Sequence, residues 1–255
     1  MAILLEWDKT GEHLYETGID RVVLYKAADS ATGGPGSNGY LAGVAWNGCT
    51  GVTEKPTGGD ETKLWADNIK YLSLRSAEDY GATITAYTYP TEWEECDGSA
   101  LVTAETLAGV MSVSQQPRKS FALCFRTLVG NDLLGNDYGY KIHILYGCTT
   151  SPSEKTNSTV NESPSANEFS WEISTTPVDA KIGTLKPTAR VVLDVAKINA
   201  MSSSTEKTAL LAKIATIEEK LYGKKGDAAA QPAVPDTPAQ VLLPNEIYAI
   251  LTAVG

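Results

Sequence analysis

Four cysteines (Cys49, Cys96, Cys124, Cys148) and two histidines (His13, His143) are the side chains of this chain best suited to ligate a metal or attack an electrophile. Each cysteine stands alone, without the CxxC or Cys/His clustering that a zinc or dithiol site requires, so neither a metal nor a cofactor is expected. His143 lies in Tyr140-Lys141-Ile142-His143-Ile144-Leu145-Tyr146, which alternates with strand period and predicts a structural histidine. The chain has no GxSxG elbow, no HExxH and no DxDxDG, and no Ser/His/Asp arrangement can be read from it. Glu92, Glu94 and Glu95 are its densest carboxylates, and on a short helix they are expected to face water. Gly33-Gly34-Pro35-Gly36-Ser37-Asn38-Gly39 lacks the Lys-Ser/Thr and following helix of a phosphate loop. No catalytic residue emerges, and the expectation is a protein without enzymatic activity.

At 255 residues and 27.2 kDa, 42% hydrophobic, the chain can build one large core or two modest ones. No apolar run reaches the roughly 18 to 20 residues of a membrane-spanning helix. The start, Met1 to Asp8, lacks the basic head and long apolar middle of a secretory signal, which points to folding in a cytoplasm. Lys plus Arg against Asp plus Glu gives 21 − 31 = −10, an argument against phosphate-driven nucleic-acid binding. Nine acids against three bases between Asp60 and Asp97 supply −6 of that total. The window is either a solubilising surface or one built to repel an anion.

Residues 20 to about 200 read as short alternating segments separated by Gly, Pro, Ser and Asn clusters, about eight strands in all. Those around 121–129, 140–146, 169–175 and 189–195 are the clearest, and the first is expected to bury Phe121, Leu123 and Phe125 while leaving Ala122, Cys124 and Arg126 wetter. Stretches 21–26, 40–47, 63–74 and 83–89 are read as further strands, with loops at 33–39 and 55–60 and a long exposed connection at 149–167. Trp65 and Trp171, at alternating positions, are expected in the core rather than on a sugar-stacking surface. Pro90 followed by acids, with Gly98 beyond, predicts one short helix. The organisation expected is a β-rich domain over 1–200, an amphipathic helix over 201–224 capped by Ser203 and Glu206, an extended Ala/Pro-rich linker over 225–241 that does not pack, and a short terminal helix over 242–255 docked on its own chain or a neighbour.

An ordered series of short stretches runs nearly end to end: Trp46-Asn47-Gly48, Val52-Thr53-Glu54-Lys55-Pro56, Lys63-Leu64-Trp65-Ala66-Asp67-Asn68, Tyr87-Thr88-Tyr89-Pro90, Gln115-Gln116-Pro117-Arg118-Lys119-Ser120-Phe121, Phe125-Arg126-Thr127, Val129-Gly130-Asn131-Asp132, Gly139 to His143, Phe169-Ser170-Trp171-Glu172, Thr175 to Val178, Leu221-Tyr222-Gly223 and Leu243 to Ile247. The series resembles the major tail proteins, or tail tube proteins, of long-tailed phages with non-contractile tails (siphophages).

The resemblance implies a mainly β chain, a β-sandwich or partial barrel flanked by a short helix, with a C-terminal helical extension. It implies homohexameric rings stacked into a hollow tail tube, built in the cytoplasm of the host bacterium and resident in the virion tail. Four strands from each of six subunits would close a barrel of roughly 24, wide enough for a lumen. The partners implied are other copies of the chain, a tape-measure protein, a tail terminator and baseplate or distal tail proteins. Phage DNA would pass without specific binding, since an acidic or neutral wall does not hold phosphates. Assembly contacts are expected at Gly33, Gly34, Pro35, Gly36, Glu54, Pro56, Gln115, Gln116, Arg118, Lys119, Arg126, Asn131 and Asp132, with the loops around 33–39 and 55–61 making ring-to-ring contacts and Arg118 and Arg126 meeting acids of an adjacent subunit. The alternative is a β-sandwich carbohydrate-binding or adhesion module of a phage tail.

Overall fold

The computed structural model describes residues 7–28, 39–102, 109–157, 159, 165–226 and 235–253. In chain order its strands are β1 (Tyr15–Lys26), β2 (Val44–Ala45), β3 (Cys49–Glu54), β4 (Thr57–Gly58), β5 (Glu61–Ala66), β6 (Ile69–Arg75), β7 (Glu78–Asp79) and β8 (Gly81–Ala86). A 3₁₀ turn (Thr91–Trp93) and α1 (Glu94–Asp97) follow, then β9 (Ser99–Val102), β10 (Met111–Ser114), β11 (Phe121–Asn131), β12 (Gly135–Thr150), β13 (Phe169–Thr175) and β14 (Arg190–Asp194). The helices α2 (Val195–Asn199), α3 (Ser204–Tyr222) and α4 (Pro244–Thr252) close the chain. The protein is mainly β and antiparallel, with no closed barrel among the described residues.

The main sheet runs β2-β1-β11-β12-β13-β8-β3, and β14 also pairs with β12. β12 is therefore shared along one edge: Lys141–Leu145 pair with β14, and Cys148–Thr150 pair with β13. Gly147 lies between the two stretches at φ +57°, and a Cβ there would sit 2.2 Å from the Thr176 carbonyl oxygen. The register against β11 slips at the same point, between Phe121↔Cys148 and Leu123↔Leu145. One extra residue bends the strand and brings Cys148 onto the same face as Leu145.

Both faces of β11 are covered, which corrects the expectation of a wetter face. Leu24, Phe121, Leu123, Phe125 and Leu145 point into a cluster with Ile84, Trp46, Trp93 and Trp171, where the Trp46 and Trp93 rings lie 4.5 Å apart and Trp93 meets Phe121 at 5.0 Å. Trp93 reaches this core because the short helix predicted after Pro90 forms there and ends at Gly98 (φ +86°). On the other face Val23, Tyr25, Ala122, Cys124, Ile142, Ile144 and Tyr146 pack under Ile214, Ile217, Leu221 and Ile247 of the C-terminal helices. The sequence pattern missed this layer because small residues such as Ala122 and Cys124 carry a weak hydrophobic signal while making room for a helix.

The helical extension begins as its cap residues predict: Ser203 Oγ accepts from the Glu206 N–H, and Gly223 stops α3 at φ +77°. Where described, the linker is packed rather than free: Lys224 and Thr237 bridge, Gly43 N–H donates to Ala239 O, and Val241 and Leu242 are buried. α4 docks on its own chain, with Ile247 in the core and Lys213 Nζ donating to Leu251 O at 2.9 Å. Fourteen strands are present among the described residues, against about eight expected. The excess consists of β3, a main-sheet strand beside β8, of the short pairs β4–β7 and β9–β10, and of the 63–74 stretch, which is two strands.

Candidate assembly surface

Between β3 and β8 the chain leaves the sheet and builds a two-stranded arm, where a loop was expected at 55–60 and a single strand at 63–74. β4 pairs with β7, and β5 pairs with β6. Gly58 (φ +85°) and Gly59 (φ +72°) turn the ribbon at its base, where a Cβ on Gly58 would lie 2.4 Å from Ala77 O. Asp67 (φ +51°) and Asn68 (φ +62°) close its tip, as a two-residue hairpin with two left-handed positions requires.

The arm is amphipathic although almost nothing of its own chain covers it. Cross-strand pairs Thr62↔Leu74 and Leu64↔Leu72 share one face, and Glu61↔Arg75 and Lys63↔Ser73 share the other. The polar face is braced by Lys70 Nζ on Glu61 Oε1 at 2.8 Å. A register slip between Leu64 and Trp65 leaves Tyr71 as the extra residue, so the tip presents Trp65, Ile69 and Tyr71. Trp65 is 67% exposed and Tyr71 71%, with Leu64, Leu72 and Leu74 between 42% and 49%. Trp65 is thus not a core residue, whereas Trp171 is, at 4% exposure. The Asp67-Asn68 pair inside the apolar run was the available signal for the arm, and an alternation count that runs through it conceals the turn.

The arm is anchored at its base by a polar chain that runs from the half-buried Glu54 and Arg190 to the buried His143. Glu54 Oε1 accepts from Arg190 Nη2 at 2.6 Å, and the same nitrogen lies 3.3 Å from His143 Nδ1. Arg190 can only donate, so Nδ1 accepts, Nε2 carries the proton, and Nε2–H donates to Thr127 Oγ1 at 2.8 Å. The imidazole stacks on Phe125 with centroids 4.6 Å apart. Burial first, and the adjacent Arg190 charge second, push His143 down to about 4 and keep it neutral near neutral pH. Glu54, expected at an assembly contact, therefore pairs within its own subunit, while Pro56 is exposed at the root of the arm.

The remaining expected interface residues separate. Gly33, Gly34, Pro35 and Gly36 lie outside the described residues. Gln115 is exposed at φ +64°, Gln116 Nε2 donates to Ser114 O, and the Arg118 side chain lies against Gly98. Lys119 Nζ and Lys26 Nζ each lie 3.0 Å from Glu95, so Glu95 is held by two lysines of its own chain instead of simply facing water. Arg126 grips Asp20 of its own chain, with Nε 2.7 Å from Oδ1 and the guanidinium 4.9 Å from the Tyr140 ring. Asn131, 4% exposed, accepts from the Leu133 and Leu134 N–H groups and donates to Gly11 O, and Asp132 accepts from the Gly11 N–H at 3.0 Å. These two fasten the N-terminal segment to the β11–β12 turn.

No family model matches the chain, and no curated protein does. Among solved structures the chain is similar to one from the anti-feeding prophage baseplate, determined by cryo-electron microscopy with 6-fold symmetrisation. The two share 8% identity at a TM-score of 0.31, over 74% of this chain and 98% of that one. No helix among the described residues is long and apolar enough to cross a membrane.

Proposed function

We propose that the chain is a structural phage-tail protein that assembles with copies of itself into stacked six-membered rings, forming a hollow tail tube through which phage DNA passes. The observation that carries this reading is the arm: an isolated two-stranded ribbon is marginal in water, and this one turns a leucine face and an aromatic tip outward. Such a ribbon is stabilised when a neighbour covers it, and a second copy of the chain is the neighbour always present. The ordered motif series that resembles tail tube proteins supports the same reading. The carbohydrate-binding alternative loses Trp46, Trp93 and Trp171, which are buried in one aromatic core, but keeps the exposed Trp65 and Tyr71 of the arm tip; glycan binding without self-assembly would favour it.

Negative-stain electron microscopy across a concentration series, paired with light scattering, tests the proposal. Six-membered rings or hollow tubes are the expected result. A smooth monomer at every concentration overturns it.

A further inference from the structure

The end of the subunit where β1 begins carries a concave apolar surface. A cavity of about 420 Å³ has an apolar lining of Val129, Tyr138, Ala196, Leu14, Tyr15 and Ala200. Glu16, Lys141, Asp194 and Lys197 complete the lining. Lys141 is engaged by Glu16, whereas Lys197 is 83% exposed and only 3.8 Å from Asp194 at its nearest. Leu14 and Tyr15 are 55% and 46% exposed beside it, and Leu133 and Leu134 extend the apolar surface around the β11–β12 turn.

We infer that the arm tip of one copy seats in this cavity of the next copy, with Trp65 entering it and Asp67 facing Lys197. The inference rests on the assembly reading above and names the acceptor that reading lacks. Shape and chemistry match: the tip is convex, with an indole and a phenol nearly free of their own chain, and the cavity is concave and mainly apolar. Charge matches as well, because Asp67 is the one charged residue in the Ala66-Asp67-Asn68-Ile69 tip and Lys197 is the most exposed charge of the lining. Arm tip and cavity are different patches of one chain, so the contact is head-to-tail: it does not saturate at a dimer but closes a ring or runs on as a filament.

Cysteine cross-linking tests the pairing. Cys96, Cys124 and Cys148 are buried and Cys49 is half-buried, so the unsubstituted chain provides the background. Asp67→Cys and Lys197→Cys are made as separate variants and as one double variant, then oxidised under assembly conditions. The expected result is a disulfide-linked dimer only when the two single variants are mixed, and a ladder of oligomers from the double variant. An independent arm fills the cavity with Ala200→Trp, which is expected to raise the concentration needed for assembly about tenfold, the effect of losing one anchoring contact. Tubes that form without cross-links, and equally well with Ala200→Trp, overturn this acceptor and leave the assembly reading standing. If the unsubstituted chain stays monomeric throughout, both fail.

Discussion

The Tyr146 hydroxyl donates a 2.7 Å hydrogen bond to the Leu242 carbonyl, tying the middle of the sheet to the segment that leads into the last helix. The donor comes from a strand and the acceptor from the residue that follows the stretch composition marks as linker. The two are buried together, and Tyr25 does the same for Leu221 O at the end of α3. The C-terminal extension is thereby part of the sheet's own core.

Tyr146→Phe should therefore destabilise the fold by about 1 to 3 kcal/mol, the cost of leaving a buried carbonyl without its donor. Urea unfolding checks it. Tyr71→Phe, on the exposed arm, should stay within about 0.5 kcal/mol of the parent in the same assay. Equal effects of the two substitutions would contradict the packed extension.

Gly147→Ala should cost at least about 3 kcal/mol, since it combines a left-handed non-glycine residue with a Cβ 2.2 Å from the Thr176 carbonyl oxygen. Gly183→Ala, also at positive φ (+53°) but with nothing near its Cβ, should lose only the backbone strain, about 1 kcal/mol. Thermal unfolding of the pair separates the steric effect from the conformational one.

His143 gives a pH dependence whose sign is fixed. Its folded pKa is depressed from 6.5 to about 4, so above 6.5 the imidazole is neutral in both folded and unfolded chains and costs nothing. As pH falls from 6.5 towards 4 the unfolded chain takes up a proton that the folded chain refuses, and stability is lost. Between pH 7 and pH 4.5 this amounts to about 2 to 3 kcal/mol. His143→Gln should be less stable than the parent at pH 7 yet lose less over that interval in chemical denaturation. Parallel losses in the two proteins would show that His143 titrates normally.

Much of the fold was legible in the residues, and the failures have a common cause. Alternation located the strands that carry Phe121, Trp171 and Leu193, and capping chemistry located α3 between Ser203 and Gly223. Alternation reports that one face of a strand is apolar; it does not report what covers that face. Trp65 and Trp171 have the same local pattern, but Trp171 faces the core while Trp65 stands on a ribbon that leaves the sheet. Ala122 and Cys124 look like a weak face and are wholly buried, because the helices that cover them come about ninety residues later in the chain. Arg126 and Glu54 read as surface charges free for a neighbour, and each has a partner more than a hundred residues away in its own subunit. Periodicity contains no information on pairing at that separation.

The arm is the centre of the functional account, and the most direct measurement is sedimentation velocity on the parent chain and on a Leu64→Lys/Leu72→Glu variant, whose opposite charges keep the cross-strand pair, with both samples then imaged by negative stain. The substitutions lie on exposed positions of the apolar ribbon face, so the variant should match the parent in circular dichroism and melting temperature. The account predicts fast-sedimenting rings or tubes from the parent and a folded monomer from the variant at the same concentration. Tubes of equal length and abundance from the variant would contradict it.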